Sequence, residues 1–395
     1  MPLPTPLHTR TSPLNQTHEW RLWSGYLGAG MYEAYHEREY WSIRNAAGLI
    51  DVSPLFKYEF TGPDALRAVN RIMTRDINSC KLGQVFYSPW CDDDGKIVDD
   101  GTISRLDEDR FRVTAADPSL RWFQDCTTGM KVEIRDVSEE LAALALQGPL
   151  SRDVLRCILP GIDSLGFFKL ANTRHRGFPL TITRTGYTGD LGYELWVDPK
   201  NAPSLWDDLV EHGEDYGLMP AGLAALDIAR IEAGLILIEV DYIPSPKTFI
   251  PEQKSSPFEV GLGWTVKFSG DNPFVGRPAL EAEAAEPSGW SIAGLEIDWV
   301  SLEGIYGAVN LPPQVTGRAN RSSVPLYTGH RQVGYVTSHT FSPLLKKYIG
   351  LATVEARFAE PGTPLEMEFT VEHHRRRGRA SVVELPFLDL ERKKG

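Results

Sequence analysis

The first half of the chain alternates apolar and polar positions in short runs that end at Gly or Asp turns. This period-two pattern predicts β-strands, of which the clearest are KYEF, QVFYSPW, KIVDDGTISRL and RFRVTAA. Between the first two runs, Leu66, Val69 and Ile72 recur at helical spacing, which predicts an amphipathic helix over ALRAVNRIM. The pattern therefore favours strands with interspersed helices.

The segment 180–197 consists of two alternating runs, LTITRT and YELWV, joined by the glycine-rich stretch GYTGDLG. It predicts a β-hairpin. Two helices are predicted after it. The helix at 201–213 has one apolar face, whereas the helix at 221–234 carries small and apolar residues nearly all round. The second helix is therefore predicted to be deeply buried.

The pattern changes near residue 285, where EAEAAEPSG marks a helix end and a linker. From Ser291 onward, short strands are separated by turn residues and no strong helix is indicated, which predicts a separate β-barrel or β-sandwich. Residues 1–18 are rich in Pro and Thr and predict an extended arm. We therefore divide the chain into an N-terminal arm (1–24), an α+β region (25–285) and a C-terminal β-domain (290–395).

Composition excludes several classes of protein. A net charge of −12 argues against a broad nucleic-acid surface, because backbone phosphates are bound by clustered Lys and Arg. No run of 18 apolar residues occurs, so no membrane partner is predicted. The four cysteines lie far apart without a CxxC pair and the nine histidines are scattered. This pattern predicts reduced thiols, no metal site and a cytoplasmic location.

The sequence lacks the common catalytic and nucleotide-binding motifs. It contains no GxxxxGK[ST], GxSxG or HExxH segment. GYTGDLG has the glycine spacing of a phosphate loop, but it joins two strands and offers no helix N-terminus to a phosphate. A P-loop NTPase and a serine or zinc hydrolase are therefore unsupported.

The acidic run 91–101, CDDDGKIVDDG, offers a candidate for chemistry. Its first part has the composition of a hairpin turn. Asp99 and Asp100 follow two apolar residues in a strand, so their side chains point to opposite faces and one of them faces inward. Spacing alone leaves a strand-end turn and a functional carboxylate equally open.

Several segments in fixed order resemble motifs of the T-protein (aminomethyltransferase) of the glycine cleavage system and its relatives. AGLIDVS resembles the family's AG[MI]FDVS, and TGYTGDLGYEL closely resembles its TGYTGE hairpin. YSPWCDDDGKIVDD, LQGP, PAGLAALDIARIEAG, GLGWTVKF and VGYVTSHTFSP match further family motifs. The resemblance implies a three-domain α+β folate-binding fold, in which 25–285 forms two interleaved subdomains and 290–395 forms a C-terminal β-barrel.

The resemblance also implies that tetrahydrofolate is the cofactor that accepts a one-carbon unit. By position, Asp99 matches the carboxylate beside the reactive pterin nitrogens, which makes it the predicted catalytic residue. Glu194 matches the carboxylate that holds the pterin, while Tyr87, Tyr187 and Trp264 match aromatic residues of the folate cavity. These residue types suit the ligand, because a carboxylate accepts adjacent N–H donors and aromatic rings cover a flat ring system. The alternatives are core positions for Tyr87 and Trp264 and a solvated strand edge for Glu194.

The sequence departs from the family pattern at four positions. Leu226 stands where the family has Arg, Pro54 where it has His, Ala115 where it has Asn, and Ile238 where it has an aromatic residue. In the T-protein the Arg and Asn help to hold folate, so folate binding here requires another cation in place of the Arg. The candidate replacement cations are Arg184, Arg230, Lys346, Lys347 and the basic turn 373–379, and a solvated hairpin is the alternative for that turn. Of these, we assign Arg230 to cofactor binding.

These departures favour a relative of the T-protein that moves a methyl or methylene group from a small methylated or aminomethyl donor to N5 of tetrahydrofolate. The apolar Leu226 and Ile238 suit such a donor. Two alternatives remain. One is the glycine-cleavage reaction itself, with an aminomethyl group on a lipoyl carrier protein as partner. The other is a folate-binding protein without catalysis.

Overall fold

The computed structural model describes residues 1–268, 272–315 and 317–395. Its helices are α1 (His8–Thr11), α2 (Glu37–Asn45), α3 (Ala65–Ile72), α4 (Leu120–Cys126), α5 (Ser151–Ile158), α6 (Ala202–Gly213), α7 (Leu223–Glu232), α8 (Arg277–Ala285) and α9 (Trp299–Gly307). In the part of the chain that the structure describes, no helix is long and apolar enough to cross a membrane.

The strands form three open sheets and one closed barrel. They are β1 (Leu3–Pro4), β2 (Trp20–Trp23), β3 (Tyr26–Ala29), β4 (Ala47–Asp51), β5 (Phe56–Thr61), β6 (Val85–Cys91), β7 (Ile97–Asp107), β8 (Arg110–Ala115), β9 (Glu133–Asp136), β10 (Ala142–Gln147), β11 (Leu170–His175), β12 (Phe178–Thr183), β13 (Gly192–Val197), β14 (Leu218–Pro220), β15 (Trp290–Ile297), β16 (Val324–Thr328), β17 (Arg331–Ser342), β18 (Lys347–Glu355), β19 (Pro364–Val371) and β20 (His374–Val383).

A six-stranded sheet of order β11-β12-β13-β10-β4-β14 forms the centre of the protein. The two faces of its middle strand β10 lie in different cores: Leu144 and Leu146 pack with residues of α5 and α6, whereas Ala143 and Ala145 pack with residues of α2 and α7. The predicted hairpin is confirmed, with β12 paired antiparallel to β13. Helix α7 is buried along its length from Ala224 to Glu232, as predicted.

The chain leaves this sheet after β4, builds a second sheet of order β6-β7-β8-β5-β9, and returns at β10. Helices α3 and α4 cover one face of the second sheet, and the predicted apolar face of α3 lies in that core, with Val69 and Ile72 fully buried. The opposite face is therefore left to meet the rest of the protein.

Two expectations from sequence are corrected at the ends of the chain. The N-terminal segment is not simply extended, since it forms α1, contributes β1 to a small sheet of order β1-β3-β2, and buries Leu7 in the core beneath the central sheet. Beyond residue 291 a helix, α9, does occur. It begins at Asp298, whose carboxylate accepts the N–H groups of Val300 and Ser301, and this capping outweighs the weak apolar pattern.

The C-terminal strands close into a barrel of order β15-β18-β17-β16-β19-β20, which confirms the predicted β-barrel. Closure removes the sheet edges that would otherwise be exposed. The barrel contacts the centre of the protein through α7, where Ile231 packs against Ile349 and Leu351 of β18. The α+β class predicted from sequence is therefore confirmed.

Candidate active site

Strand alternation decides which of the two adjacent aspartates is accessible. Asp100 lies on the same face of the second sheet as Tyr87 of the neighbouring strand β6, which is the face not covered by α3 and α4. The Tyr87 hydroxyl donates to Asp100 Oδ2 at 2.6 Å, and the Tyr242 hydroxyl donates to Asp100 Oδ1. Asp100 is half-buried and held in one orientation by two tyrosines.

Asp99 points to the opposite face and is fully buried. Its Oδ1 accepts the N–H of Asp100 at 2.7 Å, and its Oδ2 accepts the N–H groups of Ala116 and Asp117 at 3.0 and 2.9 Å. These bonds fasten the end of β8 to β7. The structure thus gives the sequence-predicted Asp99 backbone partners on both oxygens, while the accessible carboxylate is that of Asp100.

Burial perturbs both carboxylates. Desolvation raises the pKa of Asp99 well above its ordinary value and the adjacent charge of Asp100 raises it further, against the N–H bonds from the backbone. Desolvation also raises the pKa of Asp100, and the Tyr242 and Tyr87 hydroxyls oppose it. The carboxylate of Asp100 is therefore a stronger proton acceptor than an ordinary aspartate, because a raised pKa means tighter binding of a proton.

Glu194 lies on β13, on the face of the central sheet that carries Trp196. Thr183 donates to its Oε2 at 3.4 Å, and Thr185 donates to the same oxygen. Among residues 1–268, 272–315 and 317–395, no side chain or backbone donor reaches Oε1. Desolvation raises the pKa of Glu194, and the two threonines and the charge of Arg112 oppose this shift.

The three predicted aromatic residues lie near these carboxylates. Tyr187, in the turn of the hairpin, donates its hydroxyl to the carbonyl of Ile236 and packs in the same cluster as Leu226. Trp264 is 54% exposed, with its ring 6.3 Å from that of Tyr87 at an interplanar angle of 22°. Trp264 is therefore an outer wall, and a core position is excluded for it.

These residues lie on two sheet faces that meet where Arg112 of β8 contacts Trp196 of β13, and we call the region between these faces the inter-sheet recess. Asp100, Tyr87, Tyr187 and Glu194 are each half-buried, yet desolvation is the largest cause of the raised pKa of each. Side chains that reach solvent while protein surrounds them are typical of a recess. The inter-sheet recess is lined by Tyr87, Asp100, Tyr187, Glu194 and Trp264.

Most of the proposed replacement cations have other partners, whereas Lys346 and Arg376 are exposed. Arg230 is buried and donates to Asp227 at 2.9 Å, Asp241 at 2.5 Å and Ser338 at 2.7 Å, so it forms an internal ion-pair network. Arg184 donates to backbone carbonyls near the C-terminus. Lys347 pairs with Glu296 at the barrel surface. In the 373–379 segment, Arg375, Arg377 and Arg379 pair with other acidic residues.

The positions that depart from the family pattern are apolar in the structure. Leu226 lies in the cluster that contains Tyr187, and Ile238 packs in the cluster that contains Tyr87. Both therefore pack in the clusters that hold the aromatic residues of the recess. Ala115 is different, because it points into the core beneath the second sheet.

Sequence reasoning missed two residues of this region, Tyr242 and Arg112. Tyr242 reaches Asp100 from a loop 142 residues away, and no local pattern reports such a contact. Arg112 stands in the strand RFRVTA, and its guanidinium carbon lies 4.5 Å from the ring centroid of Trp196. Because Arg112 alternates with the apolar residues Phe111 and Val113, the sequence indicates that it faces away from the core. The sequence does not distinguish an exposed arginine on that face from a buried one.

Comparison with known proteins supplies the family. A sequence model of the GCVT N-terminal domain matches residues 10–270, and one of the glycine cleavage T-protein C-terminal barrel domain matches residues 309–389. A trimethylamine-oxide aldolase of Ruegeria pomeroyi is 34% identical over 92% of this chain, which spans 44% of the aldolase's length. An aminomethyltransferase of Halothermothrix orenii is 33% identical over 89% of this chain and 90% of its own.

A solved structure shows the same fold. The crystal structure of the glycine cleavage system aminomethyltransferase T from Bartonella henselae superposes with a TM-score of 0.82 at 24% identity, over 98% of this chain and 99% of that one. The family and the enzyme class expected from sequence are confirmed. The chain belongs to the glycine cleavage T-protein family and is an enzyme of one-carbon transfer.

Proposed function

We propose that the inter-sheet recess binds tetrahydrofolate through Glu194 and that Asp100, in place of Asp99, carries the chemistry. One observation carries the proposal: a carboxylate with a free oxygen and a carboxylate clamped by two tyrosines face the same recess. The carboxylate of Glu194 suits recognition of the ligand, and the carboxylate of Asp100 suits interaction with the reacting end of the ligand. Arg230 is left out of this site, because its donors are taken up by Asp227, Asp241 and Ser338.

The chemistry of Glu194 fits a pterin. Its Oε1 has no protein donor in the described residues, and Oε2 accepts only from threonine hydroxyls. A carboxylate of this kind can accept two adjacent N–H donors from a flat ring. Tyr87, Tyr187 and Trp264 supply aromatic walls, which cover such a ring with little loss of conformational entropy.

Asp100 acts on the reacting end of the ligand. Tetrahydrofolate, when bound, supplies a nucleophilic nitrogen that takes up the one-carbon unit. The carboxylate of Asp100, fixed by Tyr87 and Tyr242, stabilises positive charge that develops on a nitrogen beside it. Because burial raises its pKa, it also accepts a proton more readily than a solvated aspartate. Asp99 holds the strand ends that position it.

The donor that we propose is a small methylated amine, its N-oxide, or an aminomethyl compound. Leu226 and Ile238 give the recess apolar walls that suit methyl groups. An aminomethyl thioether carries its carbon at the oxidation level of formaldehyde. The methyl carbon of an N-oxide is at the level of methanol, and cleavage of the N–O bond, with its oxygen leaving as water, oxidises that carbon by two electrons. Transfer as a methylene group therefore requires no added oxidant from either donor. The 34% identity to a trimethylamine-oxide aldolase supports the N-oxide.

A second candidate is the glycine-cleavage reaction, in which the donor is carried by a lipoyl protein. The match to an aminomethyltransferase over 90% of that protein's length favours it. A folate-binding protein without catalysis is the weakest alternative, because Asp100 keeps its place in the recess. We also propose a cytoplasmic location, which the four free cysteines support.

Calorimetric titration with tetrahydrofolate tests the binding site. We expect binding to the wild type, a loss of about 10- to 100-fold in affinity for Glu194→Gln, and no loss for the surface control Glu133→Gln. Turnover is then screened with trimethylamine N-oxide and with a lipoyl-bound aminomethyl donor, by following 5,10-methylene- and 5-methyltetrahydrofolate. Wild-type protein that does not bind tetrahydrofolate would refute the proposal.

A further inference from the structure

Arg112 is a buried cation, and no residue that the structure describes forms a hydrogen bond with its side chain. Its side chain lies on β8, the residue is 3% exposed, and its Nε and Nη2 atoms are buried with no acceptor in the described parts of the chain. A guanidinium carries five N–H donors and stays charged under ordinary conditions. Burying such a group without acceptors is unfavourable, so its retention calls for an acceptor that the protein itself does not supply.

The position of Arg112 points to the inter-sheet recess. Side chains of β8 alternate, so Arg112 faces away from the core that holds Phe111 and Val113. Its guanidinium carbon lies 4.5 Å from the ring centroid of Trp196, which shares one face of β13 with Glu194. Arg112 therefore lies between the two large sheets, close to the carboxylate that we assign to ligand recognition.

The charged groups around Arg112 have other partners. Glu59, opposite Arg112 on β5, pairs with the guanidinium of Arg110 at 2.8 Å. Lys57, on the same strand, donates to the carbonyl of Ser53 at 2.6 Å. Glu194 accepts from threonines, and among the described residues it forms no ion pair with Arg112. Desolvation lowers the pKa of Arg112 to about 10, against the charges of Glu59 and Glu194.

We propose that Arg112 binds an oxygen acceptor, a ring carbonyl or a carboxylate, of the ligand held in the recess. This inference rests on the proposed function. A pterin edge presents a carbonyl oxygen next to the N–H donors that a carboxylate recognises, so Arg112 and Glu194 form a matched pair of donor and acceptor. A carboxylate on the one-carbon donor is the other source of the same chemistry. In either case Arg112, on β8, provides a positive charge. The family's arginine on α7 does not provide it here, because Leu226 stands at that position.

A purely structural role predicts a different response to substitution. The contact with Trp196 is a cation–π contact, and it provides no hydrogen-bond acceptor for Nε and Nη2 of Arg112. If that contact were the purpose of Arg112, an apolar replacement would lower thermal stability. If Arg112 serves a ligand, Arg112→Met removes an unpaired buried charge, and the ligand-free protein keeps or gains stability while binding is weakened.

The test compares the wild type with Arg112→Met, Arg112→Lys and the control Arg110→Met, which alters an exposed arginine on the same face of the same strand. Thermal midpoints are measured without ligand. Calorimetry then gives the affinity for tetrahydrofolate and, in its presence, for trimethylamine N-oxide and for N,N-dimethylglycine N-oxide, which adds a carboxylate.

For Arg112→Met we expect an unchanged or higher thermal midpoint together with about 10- to 100-fold weaker binding of one ligand, partly restored in Arg112→Lys. Weaker tetrahydrofolate binding identifies the ring carbonyl. Weaker binding of the carboxylate-bearing N-oxide alone identifies the donor. If the wild type binds tetrahydrofolate and Arg112→Met binds every probe equally well, the role of Arg112 is refuted and the proposed function stands. If the wild type binds no tetrahydrofolate, the proposed function itself fails.

Discussion

The adjacent carboxylates Asp99 and Asp100 should respond in opposite ways to the same isosteric change, aspartate to asparagine. Asp99 accepts three backbone N–H groups, at 2.7, 2.9 and 3.0 Å, on its two oxygens. An asparagine has one oxygen, so its NH₂ group must face at least one N–H donor that cannot reverse its role. Losing a charge-assisted bond and leaving a buried N–H unsatisfied together cost about 3–5 kcal/mol.

Asp100 differs because its partners are hydroxyls. Tyr87 and Tyr242 donate to the carboxylate, but a tyrosine hydroxyl can also accept a hydrogen bond from an amide. Asp100→Asn therefore keeps both contacts, and we expect its stability to change by less than about 1 kcal/mol. It loses the negative charge and the proton acceptor beside the reacting atoms, and turnover should fall by about 100- to 10,000-fold.

Thermal unfolding and steady-state turnover separate the two residues. We expect Asp99→Asn to lower the thermal midpoint by about 4–6 °C, whereas Asp100→Asn keeps the midpoint and loses turnover. Asp93→Asn, in the exposed turn before β7, is the control and should change neither. If Asp99→Asn keeps wild-type stability and loses turnover while Asp100→Asn remains active, the assignment from strand alternation is wrong.

Three further predictions concern stability and pH. Tyr242→Phe removes a donor that lowers the pKa of Asp100, so the acidic limb of the pH profile of kcat/KM should move to higher pH, while Tyr35→Phe, an exposed change, should leave it in place. Glu232→Gln breaks a buried pair with Arg44 (2.7 Å) and should lower the free energy of unfolding by about 3–5 kcal/mol in urea, unlike Glu281→Gln at the surface. Burial lowers the pKa of His339 to about 4. Because folding favours the neutral imidazole, His339 contributes stability that is fully present above the ordinary pKa of histidine and is lost as the pH falls from there toward 4. Wild type should lose about 3 kcal/mol more than His339→Asn over that interval, and parallel pH profiles would contradict this.

The sequence was sufficient for elements with strong local patterns. The alternation in LTITRT and YELWV, with seven residues between them, determines a hairpin whatever surrounds it, and β12 and β13 pair as expected. The apolar face of α3 is likewise a local property. Helix α9 was missed because its first signal, the cap at Asp298, lies within a region dominated by strand patterns.

The site was predictable only in part, for a different reason. Side chains alternate along a strand, so the sequence indicates that Asp99 and Asp100 face opposite ways. It does not indicate which face α3 and α4 cover, since that depends on how the second sheet packs. The family resemblance identified the segment that contains the two aspartates, but it did not show which of them faces the recess. Tyr242 and Arg112 were beyond reach, because contacts such as that of Tyr242 with Asp100 span 142 residues and leave no periodic trace.

The recess is held in shape by a buried network that lies away from its reacting groups. Glu232, at the end of α7, accepts from Arg44 of α2 at 2.7 Å and from Ser342 of the barrel strand β17. Arg44 also donates to the carbonyl of Thr188, which follows Tyr187 in the hairpin turn. One carboxylate thereby ties together the hairpin that supplies a wall of the recess, the helix that carries Leu226, and the barrel. Because small displacements of positioned groups reduce catalysis strongly, this network should matter for turnover as well as for stability.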